Sequence, residues 1–157
     1  MNINKRTLCV TGASGLLGSK TVELARESYK PIPLHNTESL YPDSLKLDIT
    51  SQKQALDLFS KLKPEIVIHT ASETNVDKCE TQKEHAWKVN AEGTLNMAKA
   101  CKKVGAKLVY ISTDYVFDGE KGNYNEHDKP NPINYYGVTK LEGEKQVIKH
   151  CKKKTII

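Results

Sequence analysis

Apolar residues in this chain fall into short continuous runs, separated by stretches where they recur every three or four positions. Thr7-Leu8-Cys9-Val10, Glu65-Ile66-Val67-Ile68-His69-Thr70-Ala71 and Lys107-Leu108-Val109-Tyr110-Ile111-Ser112 are the runs. They have the length of strands and the unbroken apolarity of strands buried on both faces of a parallel sheet. Leu45-Lys46-Leu47 predicts a shorter strand, and Thr155-Ile156-Ile157 the opening of another. Pro31-Ile32-Pro33-Leu34-His35 predicts a weak one, compromised by its prolines. Helical spacing predicts the intervening elements. Leu16, Leu17, Val22, Leu24 and Ala25 mark the first helix. Ala55, Leu56, Leu58, Phe59 and Leu62 mark the second, capped by Thr50 or Ser51 and ending before Pro64. A longer helical region covers about Gln82 to Lys103 and stops at Gly105, and a last helix runs from about Tyr135 to His150. From Asp118 to Asn134 the chain is rich in Gly, Asn, Asp and Pro, a long loop of the kind that carries function.

Strands alternating with helices predict an α/β fold: a doubly wound parallel sheet with right-handed crossovers and helices on both faces. Ligands bind such sheets outside the carboxyl ends of the strands. The first such end is Thr11-Gly12-Ala13-Ser14-Gly15-Leu16-Leu17-Gly18, between a strand and a helix. Glycines there let the backbone turn sharply and a diphosphate approach without a Cβ in its way, while the helix start offers free N–H groups. This is the Rossmann context of a dinucleotide fingerprint, with G-x-x-G-x-x-G spacing in place of G-x-G-x-x-G. His35-Asn36, Asp48-Ile49, Thr70-Ala71-Ser72 and Ser112-Thr113 lie at the other strand ends.

Length and composition narrow the class. The chain has 157 residues, 38% hydrophobic and 27% charged, which fits one globular domain spanning 1–157. No apolar stretch approaches the roughly 20 residues of a membrane helix. Met1-Asn2-Ile3-Asn4-Lys5-Arg6 is not followed by a signal-peptide core, so a cytoplasmic protein with no membrane partner is expected. Cys9, Cys79, Cys101 and Cys151 form no C-x-x-C pair and read as reduced, partly buried thiols. No histidine cluster suggests a metal. The net charge of +5 is concentrated in Lys149-His150-Cys151-Lys152-Lys153-Lys154 and Lys102-Lys103. These are solvated helix ends without interleaved aromatics, so no nucleic-acid partner is expected.

The sharpest constellation is Ser112-Thr113-Asp114-Tyr115-Val116-Phe117-Asp118-Gly119 followed by Tyr136-Gly137-Val138-Thr139-Lys140. Tyr136 and Lys140 share a helix face. A nearby ammonium favours phenolate and lowers the pKa of a phenol from about 10, toward acid–base use. Thr113, at a strand end, is placed to hold a carbonyl or hydroxyl oxygen while Tyr136 exchanges its proton.

With these residues the chain resembles the extended short-chain dehydrogenases/reductases, and among them most the dTDP-4-dehydrorhamnose reductases. The likeness is carried by Thr11 to Gly18, Leu47-Asp48-Ile49-Thr50, Thr74 to Glu80, Val89-Asn90-Ala91, Ser112 to Phe117 and Tyr136 to Glu144. The resemblance implies binding of NADP(H) or NAD(H). Gly12 and Gly18 belong to the turn; Gly15, Leu16 and Leu17 hold the pyrophosphate through their backbone. Asp48 and Ile49 flank the adenine, His35 stands near its ribose, and Thr70, Ala71 and Ser72 pass beneath the nicotinamide-side ribose. It further implies hydride transfer to the C4 ketone of a nucleotide-linked deoxysugar. Tyr136 is then the proton donor, Lys140 the ligand of ribose hydroxyls, and Thr113 and Asp114 the sugar contacts. A homodimer is compatible with it.

Two departures stand out. The acidic residue that takes the ribose hydroxyls of NAD is not evident after the second strand, where His35, Asn36 and Thr37 stand and Glu38 comes late. No arginine is placed for a 2′-phosphate, so the cofactor choice stays open. The family also carries a C-terminal substrate lobe, so the chain is expected to be its cofactor-binding half. Two alternatives share the fold. In dehydratases of this type a glutamate follows Thr-Asp, where Tyr115 stands here; an epimerase is the related case. A non-catalytic partner resembling the regulatory β-subunit of methionine adenosyltransferase is the other, although Thr113, Tyr136 and Lys140 are all present. His69 and Asn90 read as packing and helix hydrogen-bonding residues.

Overall fold

The computed structural model describes residues 5–157. Met1 to Asn4, part of the stretch read for a leader, lie outside the described residues. Six strands, β1 (Thr7–Thr11), β2 (Lys30–His35), β3 (Leu45–Lys46), β4 (Ile66–His69), β5 (Lys107–Tyr110) and β6 (Lys154–Ile156), form one parallel sheet in the order β3-β2-β1-β4-β5-β6. The order reverses between β1 and β4, and that switch point opens a crevice at the carboxyl ends of the strands.

The helices are α1 (Leu16–Ala25), α2 (Gln52–Leu62), α3 (Val76–Thr81), α4 (Lys83–Trp87), α5 (Gly93–Val104) and α6 (Tyr135–His150). Of the two candidate caps for α2, Ser51 does the work, accepting from the Gln54 N–H. Gly105 ends α5 in a left-handed conformation, φ 75°. Asn134 caps α6 by accepting from Gly137 N–H at 2.7 Å. The helical region expected from about Gln82 to Lys103 is present and unbroken, as α4, a π turn (Lys88–Glu92) and α5 in succession. Asn75 caps a preceding short helix, α3, that the apolar pattern did not predict.

The prolines of β2 weaken it less than expected. Lys30 N–H and the Leu34 carbonyl bond toward the β1 side, so Pro31 and Pro33 turn their missing donors to the β3 side. β3 pairs only with Leu34 and His35, so no ladder bond there asks for the missing N–H groups.

One face of the sheet is covered by α2, α5 and α6. Cys9, Val67, Leu108 and Tyr110 of the strands meet Phe59, Met97, Cys101 and Val147 of those helices in a dry core. The opposite face carries α1, whose Val22 packs with Leu8, Val10 and Ala13. The apolar set used to place α1 divides on this face. Val22 is buried, whereas Leu16 is 93% exposed, with Leu17 and Leu24 also outside the core. A third cluster, Cys79, Ala86 and Tyr136, seats the start of α6 against α3 and α4.

Candidate functional site

The β1–α1 turn is made by glycines for identifiable reasons. Gly12 has φ 66°, a left-handed conformation, and a Cβ there would press on the Ala71 backbone. A Cβ on Gly18 would run into the Gly12 carbonyl, so the third glycine lets α1 pack directly on the turn. Gly15 begins α1 with no side-chain cap and no acidic residue in the first turn. The first N–H groups of a ten-residue helix are therefore left to an anion, next to a cleft.

Two cavities meet over this turn, sharing Gly12, Gly15, Thr70 and Ser72. The first, about 320 Å³, opens toward β2 and β3 and is lined by His35, Asn36, Thr37, Glu38, Asp48, Ile49 and Ala71 among others. The Asp48 carboxylate accepts from the Thr50 N–H at 2.9 Å and its hydroxyl at 2.8 Å, which fixes the β3 end. His35 Nδ1 lies 2.6 Å from Ser44 Oγ, which donates to the Pro33 carbonyl. Ser44 therefore accepts from the ring, and Nδ1 carries the proton. No lysine or arginine lines this cavity. The second, about 340 Å³, opens toward β5 and α6 and is lined by Leu16, Leu17, Gly18, Thr74, Ile111, Ser112, Tyr136 and Lys140.

Tyr136 and Lys140 thus face the same cleft as the glycine turn. Their electrostatics differ from the expectation that the ammonium lowers the phenol. Burial pushes the Tyr136 hydroxyl above its ordinary value, with the hydroxyls of Thr113 and Ser72 pulling it back. The Lys140 ammonium is engaged elsewhere, donating to the Ile111 carbonyl at 2.5 Å. Desolvation lowers Lys140 to about 8, opposed by Glu144. In this state Tyr136 is a neutral phenol, the form a proton donor needs. Thr113 lies against it; the exposed Asp114 accepts from the Thr113 hydroxyl at 3.3 Å. Neither Thr113 nor Asp114 is among the residues lining the two cavities.

The sequence assigned Asn90 and His69 to packing, and the structure gives them more to do. Asn90 sits in the π turn and spends both ends of its amide. Oδ1 accepts from Ser72 Oγ at 2.9 Å and Glu73 N–H at 2.8 Å; Nδ2 donates to the Glu73 carbonyl and Thr139 Oγ1, each at 3.0 Å. Thr139 in turn donates to the Tyr136 carbonyl. One amide therefore ties the β4 end to the helix that carries Tyr136. His69 bridges Thr11 at 2.7 Å and Thr94 at 3.2 Å. Since the Thr94 hydroxyl donates to the Asn90 carbonyl, it accepts from His69 Nε2–H, and the ring is neutral. Burial, then the Lys140 charge, lowers His69 to about 3. Among the described residues no cluster of His, Cys, Asp and Glu could hold a metal ion, and no helix is long and apolar enough to cross a membrane.

Known proteins share this fold. The family model described as the RmlD substrate binding domain matches residues 6–157. Methionine adenosyltransferase 2 subunit beta from Danio rerio is 36% identical over 153 residues, covering 93% of this chain and 45% of that protein. The structure of dTDP-4-dehydrorhamnose reductase from Bacillus anthracis in complex with NADP superposes with a TM-score of 0.90 at 40% identity, over 99% of this chain and 54% of that one. A hypothetical dTDP-4-dehydrorhamnose reductase from Sulfolobus tokodaii gives 0.85 at 48% identity, over 90% and 51%. The chain spans about half the length of the proteins it matches.

Proposed function

The chain belongs to the RmlD substrate binding domain family, and from that membership we propose that residues 1–157 make the NAD(P)-binding domain of a nucleotide-sugar reductase. The reaction is reduction of the 4-keto group of a dTDP-linked deoxysugar, dTDP-4-dehydrorhamnose to dTDP-L-rhamnose. The observation that carries the reading is that Tyr136 and Lys140 line the same cavity as the uncapped start of α1.

A dinucleotide fits the donors present. The free N–H groups of Leu16, Leu17 and Gly18 receive its diphosphate, while the Gly15 N–H, expected to join them, is spent on the Gly12 carbonyl at 2.9 Å and fixes the turn. The adenosine end lies toward His35, Asp48 and Ile49, and the nicotinamide end toward Thr70, Ala71, Ser72 and Lys140. NADPH or NADH supplies the hydride when bound. Lys140 holds ribose hydroxyls. Thr113 and Asp114 hold the sugar, and Tyr136, kept as a phenol by its burial, gives its proton to the oxygen that gains negative charge at C4. The resulting phenolate is stabilised by the Lys140 ammonium on the same helix face. The four free cysteines, all buried, suit a reducing compartment, and we assign the protein to the cytoplasm.

Fluorescence titration of the chain with NADH and NADPH tests the first half of this reading. Supplying the whole protein with a dTDP-4-keto-6-deoxy-L-sugar and following nicotinamide absorbance tests the second. Absence of dinucleotide binding rejects the reading. Tight binding without oxidation favours a regulatory role instead, a reading supported by the likeness to the methionine adenosyltransferase subunit.

A further inference from the structure

Lys140 is almost fully buried, an unusual place for an ammonium. Ile111 offers it one carbonyl. A second support comes from Tyr110, the residue before Ile111 in the chain and itself only 1% exposed. Lys140 Nζ lies 4.3 Å from the centroid of the Tyr110 ring, well inside the range of a cation–π contact. The hydroxyl of the same side chain donates to the Lys140 backbone carbonyl at 3.3 Å. One residue of β5 therefore grips both the charge and the main chain of Lys140. Helix α6 is shaped for this contact, since a Cβ on Gly143 would collide with the Tyr110 hydroxyl. His69 stacks on the same ring, centroids 5.9 Å apart, and is neutral, so no second cation competes for it.

We propose that Tyr110 is a positioning residue for Lys140: its π face holds the ammonium at the cleft, and its hydroxyl fixes the turn of α6 that presents it. The titratable groups that face Lys140 are Tyr136 and Glu144 from α6, Tyr110 from β5 and His69 from β4. Glu144 is anchored by the Ser112 hydroxyl at 2.5 Å, and it favours the charged lysine. His69 disfavours that form only if protonated. The ring quadrupole and Glu144 therefore oppose the desolvation that lowers Lys140 to about 8. That this charge serves a bound dinucleotide rests on the function proposed above; the placement itself does not.

The test is the titration of Lys140, read by NMR of the isotopically labelled side chain, with Tyr110 replaced by phenylalanine and by its mono-, di- and trifluorinated analogues. Tyr110→Phe keeps the ring, and fluorination drains its face while leaving shape and burial nearly unchanged, so a merely space-filling role would not respond. The midpoint is expected to fall stepwise with fluorine content, by about one pH unit across the series. A midpoint indifferent to fluorination overturns the proposal. Dinucleotide titration of the same proteins keeps the two readings apart. A fluorine-dependent midpoint in a chain that binds no dinucleotide sustains the role of Tyr110 and removes the reductase.

Discussion

On the β2 side of Gly12 the cleft is walled by strand ends and a loop, His35 to Glu38, of which Asn36, Thr37 and Glu38 are exposed. On the β5 side its lining residues, Ser72, Tyr136 and Lys140 among them, are backed by buried side chains that bond one another across the fold: Asn90 to Ser72 and Thr139, His69 to Thr11 and Thr94, Tyr110 to Lys140. A wall of loop and solvated side chains can change its residues at small cost, which suits the half of a site that selects among similar ligands. A wall in which every polar group is already spent cannot move one member without orphaning another, which suits the half where atoms must be placed for reaction. Substitutions on the two sides should therefore differ in size and in kind.

The largest effect is expected at Tyr136. Tyr136→Phe keeps the ring that packs on Cys79 and Ala86 and removes the hydroxyl that carries the proton. Turnover by the whole protein should fall about 10²–10⁴-fold with little change in dinucleotide affinity. A fall in affinity as large as the fall in turnover would move Tyr136 from chemistry to binding, and the contrast between the two walls would lose its main support.

Next in size is the acid response of the buried wall. His69 is lowered from 6.5 to about 3, mainly by burial. As the pH drops from 6.5 toward 3 the unfolded chain takes up a proton that the folded chain refuses. The contribution of His69 to stability is thus fully present above 6.5 and is lost through that window, by up to about 1.4 kcal/mol per pH unit. Urea midpoints at neutral and mildly acidic pH should diverge more for the natural chain than for His69→Gln. Equal slopes in the two proteins would mean that the ring is not held neutral.

Much of the loop wall was legible in the sequence, and much of the buried wall was not. Gly12, Gly15 and Gly18 announce a turn because the demand on their backbones is local, and the strand ends follow from runs of apolar residues. Tyr136 and Lys140 were found because four positions on a helix define a face. Asn90 gave no such signal: its partners Ser72 and Thr139 lie far away along the chain, and the π turn that carries it is set by bonds apolar periodicity does not register. Periodicity placed Leu16 and Leu17 on α1 but could not say what they face, since an apolar residue facing a cleft looks the same as one facing a core. The tyrosine's pKa direction was missed for a similar reason, because sequence spacing cannot show that the Tyr136 hydroxyl is buried, and burial pushes it up.

A smaller and purely selective effect is expected from the loop wall. The lining of the first cavity includes Glu38 and Asp48 and no lysine or arginine. His35→Arg puts a permanent cation at the end of β2, where a 2′-phosphate would lie. The ratio of NADPH to NADH affinity should rise about tenfold, roughly 1.4 kcal/mol, with turnover at saturation unchanged. An unchanged ratio would show that this wall does not read the ribose.

The smallest effect should come from Leu16, which lines the second cavity at the start of α1. It is 93% exposed at the first turn of α1, so Leu16→Ser removes almost no buried surface. Stability should stay within about 0.5 kcal/mol. The proposed duty of Leu16 is to offer its backbone N–H to a diphosphate, and serine keeps that N–H. Dinucleotide affinity should therefore change by no more than about threefold, under 0.7 kcal/mol. A loss of tenfold or more with stability unchanged would mean that the leucine side chain itself closes over the bound molecule. Leu16 would then be an apolar wall completed by its ligand, and the start of α1 would belong to the side of the cleft where side chains, not the backbone, do the holding.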